Sequence, residues 1–294
     1  MGASEWEKCH QLAGAIRAGC VVRGALELGS GCVDPSPHTV ATGETEGHLP
    51  AGPRDHAGIS GKRRQQTVTS RRILVYGAGG HGKVVGDIFI ARGESEFAGF
   101  VDDREELRGN KMMGFPVLGN GEWLREEAVH SPIAIALGIG DNRSRQLLAD
   151  RCAQWGIEIL TVVHPAATVS RSAQLGRGTV VMAGAIVNAD ARVGGGVIVN
   201  TGAVVEHDVE IGDYAHVAPN ATMGGASRLG AFSHLGLGAA VLPCVHIGAH
   251  TMVGAGAVVV ENLPDHVVAM GVPARIHRQL EQEGWSAVTA ASRK

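Results

Sequence analysis

The chain has 294 residues, of which 44% are hydrophobic, 19% are charged and 4% are aromatic, and its formal net charge is −3. This length and apolar content suffice for two domains with separate cores. The balanced charge, without a basic stripe, argues against nucleic acid as the main partner, and no apolar run reaches the length of a membrane span.

Residues 1–70 differ in composition from the rest of the chain. Gly, Pro, Ser, Thr and His are frequent there, no hydrophobic period persists, and the segment ends in the polar run Gly61–Gln66. This composition predicts a disordered extension with at most a loose helix around Glu5–Ala18. One hypothesis is that the functional chain begins near Val68, in which case deleting residues 1–67 leaves activity intact.

Short apolar strands alternate with amphipathic segments over residues 71–160. This alternation predicts a small Rossmann-like α/β domain with a parallel sheet. The predicted strands are Ile73–Tyr76, Phe97–Val101, Ile133–Leu137 and Ile157–Val163, of which the last leads into the next domain. The predicted helices are Lys83–Arg92, Glu122–Val129 and Asn142–Trp155.

A glycine-rich loop joins the first predicted strand to the first predicted helix. Its sequence, Gly77–Gly82, matches G-x-G-x-x-G, and two aspartates follow the next strand. Glycines let the backbone approach a diphosphate, the helix N-terminus stabilises its charge, and the carboxylates accept hydrogen bonds from hydroxyls or an amine. The unit is roughly half a dinucleotide fold, so we expect a nucleoside diphosphate sugar rather than NAD, with a ligand-free turn as the alternative. The predicted contacts are Gly79, Gly80, His81, Asp102 and Asp103.

A six-residue period runs through residues 161–263. Every sixth residue from Val163 to Val259 is aliphatic or methionine, and the residue four positions after each is Ala, Ser, Thr or Val. This period predicts a parallel β-helix in which three hexads form one triangular coil, with a rise of ~4.8 Å per coil. Residues 264–294 leave the period and are predicted to form a loop and a helix, Ala274–Glu283, that caps the last coil.

Because three hexads complete one coil, residues three hexads apart stack in columns. His207 lies in a column between Ala189 and Gly225, two small residues that leave its ring in open space. The neighbouring Glu206 and Asp208 are positioned to orient the ring, which makes His207 a candidate general base. A second histidine column, His216 under His234, is predicted on another face.

The histidines also allow a zinc hypothesis, in which three of them meet across a subunit interface. His246 and His250 occupy different hexad positions, and the column Glu210, Arg228, His246 is better explained as a surface charge ladder. We therefore expect no metal, and we interpret His234, His246 and His250 as solvated turn residues. Five scattered cysteines without CxxC spacing predict reduced thiols in a cytoplasmic protein.

The chain from Arg72 to about Arg278 resembles the bacterial sugar-nucleotide acetyltransferases of the NeuD/PglD type. That resemblance implies a nucleotide-sugar domain joined to a left-handed β-helix, a homotrimer, and acetyl-CoA as co-substrate. Residues 1–70 have no counterpart in the family pattern. The matching motifs are Tyr76–Gly82, Gly99–Asp103, Asn200, Val205–Asp208, Ile211–Val217 and Gly271–Arg275.

The resemblance also implies roles for individual residues. His207 would remove a proton from the acceptor, polarised by Glu206 or Asp208, and Asn200 would contact the acceptor sugar. The Gly225 amide would face the thioester oxygen. The implied acetyl-CoA contacts are His216, Gly225, Gly271, Val272, Pro273 and Arg275.

Four functional hypotheses follow for this sequence. The first is N-acetylation of a nucleotide-linked amino sugar, of the UDP-4-amino-sugar type, for a surface glycan, with Asp102 and Asp103 binding the amine beforehand. The second is O-acetylation of a sugar such as sialic acid, which would use the same His207. The third is a non-catalytic trimeric scaffold, which mutation of His207 would not affect. The fourth, a zinc hydratase, receives no support from the glycine-rich domain.

Overall fold

The structure is a computed structural model that describes residues 71–281. The predicted disordered extension over residues 1–70 lies outside the described residues, as do residues 282–294. Within residues 71–281, no helix is long and apolar enough to cross a membrane. The α/β domain ends at Ile159 and the β-helix begins at Val162. Three clusters of buried apolar residues are present in the described part of the chain: one on each side of the α/β sheet and one inside the β-helix.

The α/β domain contains one six-stranded sheet in the order β3-β4-β2-β1-β5-β6. Its strands are β1 (Arg72–Tyr76), β2 (Phe97–Val101), β3 (Lys111–Met112), β4 (Phe115–Gly119), β5 (Ile133–Leu137) and β6 (Glu158–Ile159). Its helices are α1 (Gly80–Ala91), α2 (Gly121–His130) and α3 (Asn142–Gln154), and a single 3₁₀ turn covers Glu105–Leu107. All pairs are parallel except the β3–β4 hairpin, so the predicted Rossmann-like arrangement is confirmed.

Strands β2 and β5 have the predicted bounds, whereas other elements differ from the prediction. The β3–β4 hairpin was not predicted, because Pro116 and the neighbouring glycines weaken the strand pattern. The predicted strand Ile157–Val163 is divided into β6 and β7 (Val162–Val163), since the chain leaves one sheet there and enters another.

The β-helix consists of short parallel rungs that form three faces. The first face contains β7, β10 (Val180–Val181), β13 (Ile198–Val199), β16 (His216–Val217), β19 (His234–Leu235), β22 (Met252–Val253) and β24 (Val267–Met270). The second face contains β8 (Thr168–Val169), β11 (Ile186–Val187), β14 (Val204–Val205), β17 (Thr222–Met223), β20 (Ala240–Val241) and β23 (Val258–Val259). The third face contains β9 (Gln174–Leu175), β12 (Arg192–Val193), β15 (Glu210–Ile211), β18 (Arg228–Leu229) and β21 (His246–Ile247).

Each rung pairs with the rung three hexads later, as the six-residue period predicts. The second residue of a rung points inward, so Val181, Val199 and Val217 stack in the β-helix core. The first residue points outward. On the first face, the outward side chains of Val162 and Val180 pack under α1 and the sheet of the α/β domain, which joins the two domains.

Two corners of the triangular coil are important for the site. The second corner comprises the turns after the second face, including residues 207–208 and 225–226. The third corner comprises the turns after the third face, including residues 195–196 and 213–214. The second corner therefore lies between the second and third faces, opposite the first face.

The predicted terminal helix Ala274–Glu283 is wrong. The chain forms strand β25 (Arg275–Gln279), which pairs antiparallel with β24. All five residues of β25 are exposed, so this segment has no apolar stripe that a helix would bury. Strand β24 has an edge whose backbone groups need partners, and pairing with β25 satisfies them.

Candidate active site

The glycine loop packs tightly between β1 and α1. Gly77 has a φ of +118°, and a Cβ there would lie 2.6 Å from the Gly138 carbonyl oxygen. A Cβ on Gly82 would collide with the Gly77 carbonyl. Gly80 has open space on its Cβ side. The N-terminal amides of α1 are thus accessible at a surface that favours an anionic group.

Asp102 and Asp103 brace this loop. Asp102 accepts hydrogen bonds from the Ala78 amide at 2.6 Å and from the Arg104 guanidinium at 2.8 Å. Asp103 accepts from the Tyr76 hydroxyl at 2.6 Å. Burial acts to raise the pKa of each aspartate, but the hydrogen bonds outweigh it and hold both pKa values below the usual range. Both carboxylates are therefore ionised and already bonded within the chain, and their binding of an amine stays a prediction.

Beside Asp103 lies a polar cleft of about 270 Å³ that sequence reasoning missed. It opens at the N-terminus of α2, where the Asn120 side chain accepts a hydrogen bond from the Trp123 amide. Arg151 bonds Asp103 at 3.1 Å and lies 5.8 Å from the Trp155 ring. The cleft could not be predicted from the sequence because it depends on strand β4, which was not predicted and whose carboxyl end leads into α2. The lining residues are Asp103, Asn120, Gly121, Glu122, Arg125, Arg151 and Trp155.

His207 lies at the second corner, with its Nδ1 atom 2.8 Å from the Asp208 carboxylate. Its side chain is 60% exposed, so a ligand can reach the ring. A Cβ on Gly225 would lie 2.6 Å from His207 Nε2, which confirms that the ring covers this glycine. Of the two predicted carboxylates, Asp208 contacts the ring, whereas Glu206 accepts a hydrogen bond from the Asn188 side-chain Nδ2 at 3.0 Å.

Gly225 itself is buried beneath the His207 ring. Its carbonyl accepts a hydrogen bond from the Cys244 amide, but its own amide has no acceptor within residues 71–281. An unpaired amide beside a histidine–aspartate pair is the arrangement that acyl transfer requires, since one group moves the proton and the other stabilises the oxyanion.

A second polar cluster lies where the first face meets the α/β domain. His216 Nε2 is 3.0 Å from the Asn200 side-chain amide, and the His216 ring lies 6.4 Å from His81 and 4.7 Å from His234. The predicted column of His216 and His234 is confirmed. The interpretation of His234 as a solvated turn residue is wrong, because His234 lies in strand β19 and is largely buried against the α/β domain. His216, in strand β16, lies against the same domain.

Burial is the main cause of the low pKa values in this cluster. It lowers the pKa of His81 to about 4 and that of His234 to about 4, with a smaller effect from the Arg145 charge. The pKa of His216 is also far below its usual value, through burial and then the nearby His234 and Arg145. All three rings are neutral at pH 7. His81 Nε2 is enclosed and has no hydrogen-bond partner within the described residues.

One chain does not bring the predicted site residues together. His207 and Gly225 lie at the second corner, whereas Asn200, His216 and His81 lie at the first face, across the β-helix core. The loop at Gly271–Arg275 follows β24 on the first face. The candidate site is therefore two half-sites on opposite sides of the β-helix.

The third face carries the predicted charge ladder. Glu210 lies 3.2 Å from Arg228 and 3.9 Å from Arg192, and His246 follows in the same column. Among the described residues there is no group of three or more His, Cys, Asp or Glu side chains that could hold a metal ion.

Two family models match this chain. The PglD N-terminal domain matches residues 72–152, and the bacterial transferase hexapeptide model (six repeats) matches residues 190–225. Among curated proteins, the UDP-N-acetylbacillosamine N-acetyltransferase of Bacillus subtilis (strain 168) is 41% identical over 113 residues, which are 38% of this chain and 51% of that protein. The match thus spans about half the length of this curated relative.

Solved structures match over a longer range. One is a histidine-to-asparagine mutant of perosamine N-acetyltransferase from Caulobacter crescentus in complex with CoA and GDP-perosamine. It is 41% identical with a TM-score of 0.67, over 71% of this chain and 97% of that one. The acetyltransferase domain of PglB from Neisseria gonorrhoeae FA1090, in complex with acetyl coenzyme A, is 37% identical with a TM-score of 0.66, over 70% of this chain and 98% of that one.

These matches confirm the predicted fold class, a Rossmann-like domain followed by a left-handed parallel β-helix of hexapeptide repeats. The matched relatives are named as acetyltransferases, the class of enzyme predicted from the sequence. The chain belongs to the NeuD/PglD-type family of sugar-nucleotide acetyltransferases.

Proposed function

We propose that this protein transfers the acetyl group of acetyl-CoA to the amine of a nucleotide-linked amino sugar, in the synthesis of a surface glycan. The observation that carries this proposal is the His207–Asp208 pair at 2.8 Å beside the Gly225 amide, which has no acceptor within residues 71–281. The relatives named perosamine and UDP-N-acetylbacillosamine N-acetyltransferase support an amine as the acceptor.

The reaction needs a base for the amine proton and a hydrogen-bond donor for the oxyanion. As the sugar amine attacks the thioester carbonyl, His207 Nε2 accepts a proton from the amine, and Asp208 stabilises the resulting imidazolium. The Gly225 amide donates a hydrogen bond to the oxyanion of the tetrahedral intermediate. The intermediate then expels the CoA thiolate, which takes the proton from His207. General-base help contributes ~10²–10⁴ in rate, and one oxyanion donor about 3 kcal/mol.

The α/β domain would hold the nucleotide. The diphosphate would lie on the N-terminal amides of α1 at Gly79 and Gly80, where the helix dipole favours negative charge. The cleft beside Asp103 would receive the nucleoside, with the Trp155 ring available for stacking. The sugar would then extend toward His81, whose enclosed Nε2 has no partner within the described residues.

The acceptor and the base would meet between two copies of the chain. In one chain, His207 lies across the β-helix core from His81 and His216, so a neighbouring chain must supply the second corner. The second face favours such packing, because its outward residues Ile186, Val204, Ala240 and Val258 are apolar and only partly buried. We therefore infer a closed homotrimer whose acetyl-CoA sites lie between subunits.

A thiol-release assay with acetyl-CoA tests the activity. The substrates are UDP-, dTDP- and GDP-linked 4-amino sugars and free sialic acid, each with the wild type and with His207→Ala. We expect turnover on one amino sugar that falls by ~10² or more in the variant. Turnover on sialic acid alone would establish O-acetylation instead. Silence with every substrate would favour the scaffold hypothesis.

Subunit mixing tests the shared site. His207→Ala and His216→Ala chains, each expected to be severely impaired alone, are unfolded, mixed in equal amounts and refolded. Random assembly of shared sites restores about a quarter of the wild-type sites, because each restored site takes one intact half from each variant. If each site belonged to a single chain, mixing would restore no activity.

A further inference from the structure

Arg145, on α3, is the largest fully buried side chain of the described residues, with 0% exposure. Its guanidinium forms no ion pair with a carboxylate within residues 71–281. Burial lowers the pKa of Arg145 to about 9, with an opposing effect from Asp141, so the group stays charged at neutral pH. A buried charge that makes no direct ion pair is unfavourable, and an apolar side chain of similar volume would avoid that penalty.

The guanidinium joins three parts of the molecule. Its Nε donates to the Gly196 carbonyl at 2.6 Å, and its Nη2 donates to the Tyr214 carbonyl at 2.8 Å. These carbonyls lie on successive coils of the third corner. Its Nη1 donates to the carbonyls of Ile139 at 3.2 Å and Gly140 at 3.1 Å, in the loop after β5. A lysine ammonium, with three donors from one point, cannot make this set of contacts.

The loop that Arg145 holds is the one against which the glycine loop packs. Gly138 contacts Gly77, and Gly140 lies beside His81. The neighbouring Asn142 side chain accepts from Arg145 Nη2 at 2.8 Å and donates to the Phe232 carbonyl of the third corner at 2.9 Å. The guanidinium thus fixes the position of the glycine loop relative to the β-helix.

The same charge acts on the histidine cluster. The groups that face these rings are His81 on α1, His216 and His234 on the first face, and Arg145 on α3, and Asn200 bonds His216 without carrying charge. Within residues 71–281, no carboxylate is among the groups that shift the pKa values of these rings.

We propose that Arg145 is a positioning residue of this reaction, which fixes the glycine loop against the third corner of the β-helix and, as a positive charge beside His81, His216 and His234, opposes their protonation. The kinetic consequence rests on the proposed function. The electrostatic consequence does not, because the rings carry or lack a proton whether or not substrate is bound.

The experiment follows the ring signals of ¹³C-labelled histidine by NMR between pH 3.5 and 8 in the full chain. Each ring is assigned with a single His→Gln variant. Arg145→Met removes the charge. Asn142→Asp keeps the arginine and places a carboxylate next to its guanidinium. Arg143→Met is the matched control, because it makes the same chemical change at an exposed position of α3.

We expect the midpoints of the three rings to rise in Arg145→Met and in Asn142→Asp and to stay at the wild-type values in Arg143→Met. With the acceptor that turns over, kcat/KM relative to the wild type should be lower at pH 5 than at pH 8 in the first two variants, because burial, the larger cause, still keeps most of these rings neutral near pH 6. If Arg145→Met does not fold, the midpoints and the pH dependence of kcat/KM in Asn142→Asp test the same electrostatic effect.

Unchanged midpoints in folded Arg145→Met or Asn142→Asp would overturn the proposal. A loss of kcat/KM that is equal at both pH values would also overturn it, since the arginine would then serve the fold alone. If no substrate turns over with the wild type, the proposed function fails, but the NMR titration still decides the electrostatic role.

Discussion

Gly225→Ala should inactivate the enzyme without touching a residue that transfers a proton. A Cβ at this position would lie 2.6 Å from both Cε1 and Nε2 of His207. Normal carbon contacts need ~3.5 Å or more, so the ring must move by about 1 Å. Gly225 does not have a positive φ, so alanine fits the backbone. The exposed ring can move into solvent, and the free energy of unfolding should change little.

The displacement separates His207 Nε2 from the attacking amine and strains its bond to Asp208. A misplacement of about 1 Å is enough to reduce the rate by ~10², and complete loss of the general base would reduce it by up to ~10⁴. We therefore expect kcat to fall by ~10²–10⁴, which corresponds to about 3–5 kcal/mol of activation free energy. The assay is thiol release at saturating substrates, with thermal unfolding measured in parallel.

Gly195→Ala is the matched control, because Gly195 occupies the same turn position at the third corner. A Cβ there would lie 3.3 Å from the Arg177 carbonyl oxygen, and no catalytic group is nearby. Its kcat should stay within about twofold of the wild type. The double variant Gly225→Ala/His207→Ala should be no slower than His207→Ala, since both changes remove the same group. Near-normal kcat in Gly225→Ala would refute the proposed role of His207.

Three further predictions concern charge and burial. Asp208→Asn should lower kcat by about tenfold or more, whereas Glu206→Gln, whose carboxylate bonds Asn188, should lower it far less; equal losses in a thiol-release assay would contradict this. Because the pKa of His81 and of His234 falls from 6.5 unfolded to about 4 folded, stability should decrease as pH falls from 6.5 towards 4, by up to about 3 kcal/mol per ring. Denaturant unfolding with His234→Gln should show a shallower decrease, and an identical one would argue against a buried neutral ring. Burial raises the pKa of Cys152 to about 12, so peptide-resolved alkylation at pH 8 should label Cys152 only after unfolding.

The sequence predicted the β-helix with its register, because each inward position must be aliphatic or small and the period repeats without a break from Val163 to Val259. That register also placed His207 on Gly225 and His216 under His234. Both stacking relations follow from the strict repeat alone, so the order of residues along the chain was sufficient to predict them.

Other features depend on contacts between distant parts of the chain. Which face the α/β domain covers is set by side chains such as Val180, and the hexads look alike on all faces. The burial of His234 and the position of Arg145 follow from that docking and carry no sequence signal. Strand β25 was missed because its partner is an edge that exists only after the β-helix forms.

In the proposed reaction, the acetyl group of acetyl-CoA ends on the nitrogen of an amino sugar. We would incubate the protein with [1-¹³C]acetyl-CoA and the 4-amino-sugar nucleotides and examine the products by ¹H–¹³C NMR before and after hydroxylamine treatment. An amide carbonyl coupled to the sugar N–H, resistant to hydroxylamine and absent with His207→Ala, is the predicted result. A hydroxylamine-sensitive ester, or the same amide formed by His207→Ala at an undiminished rate, would contradict N-acetylation with His207 as the base.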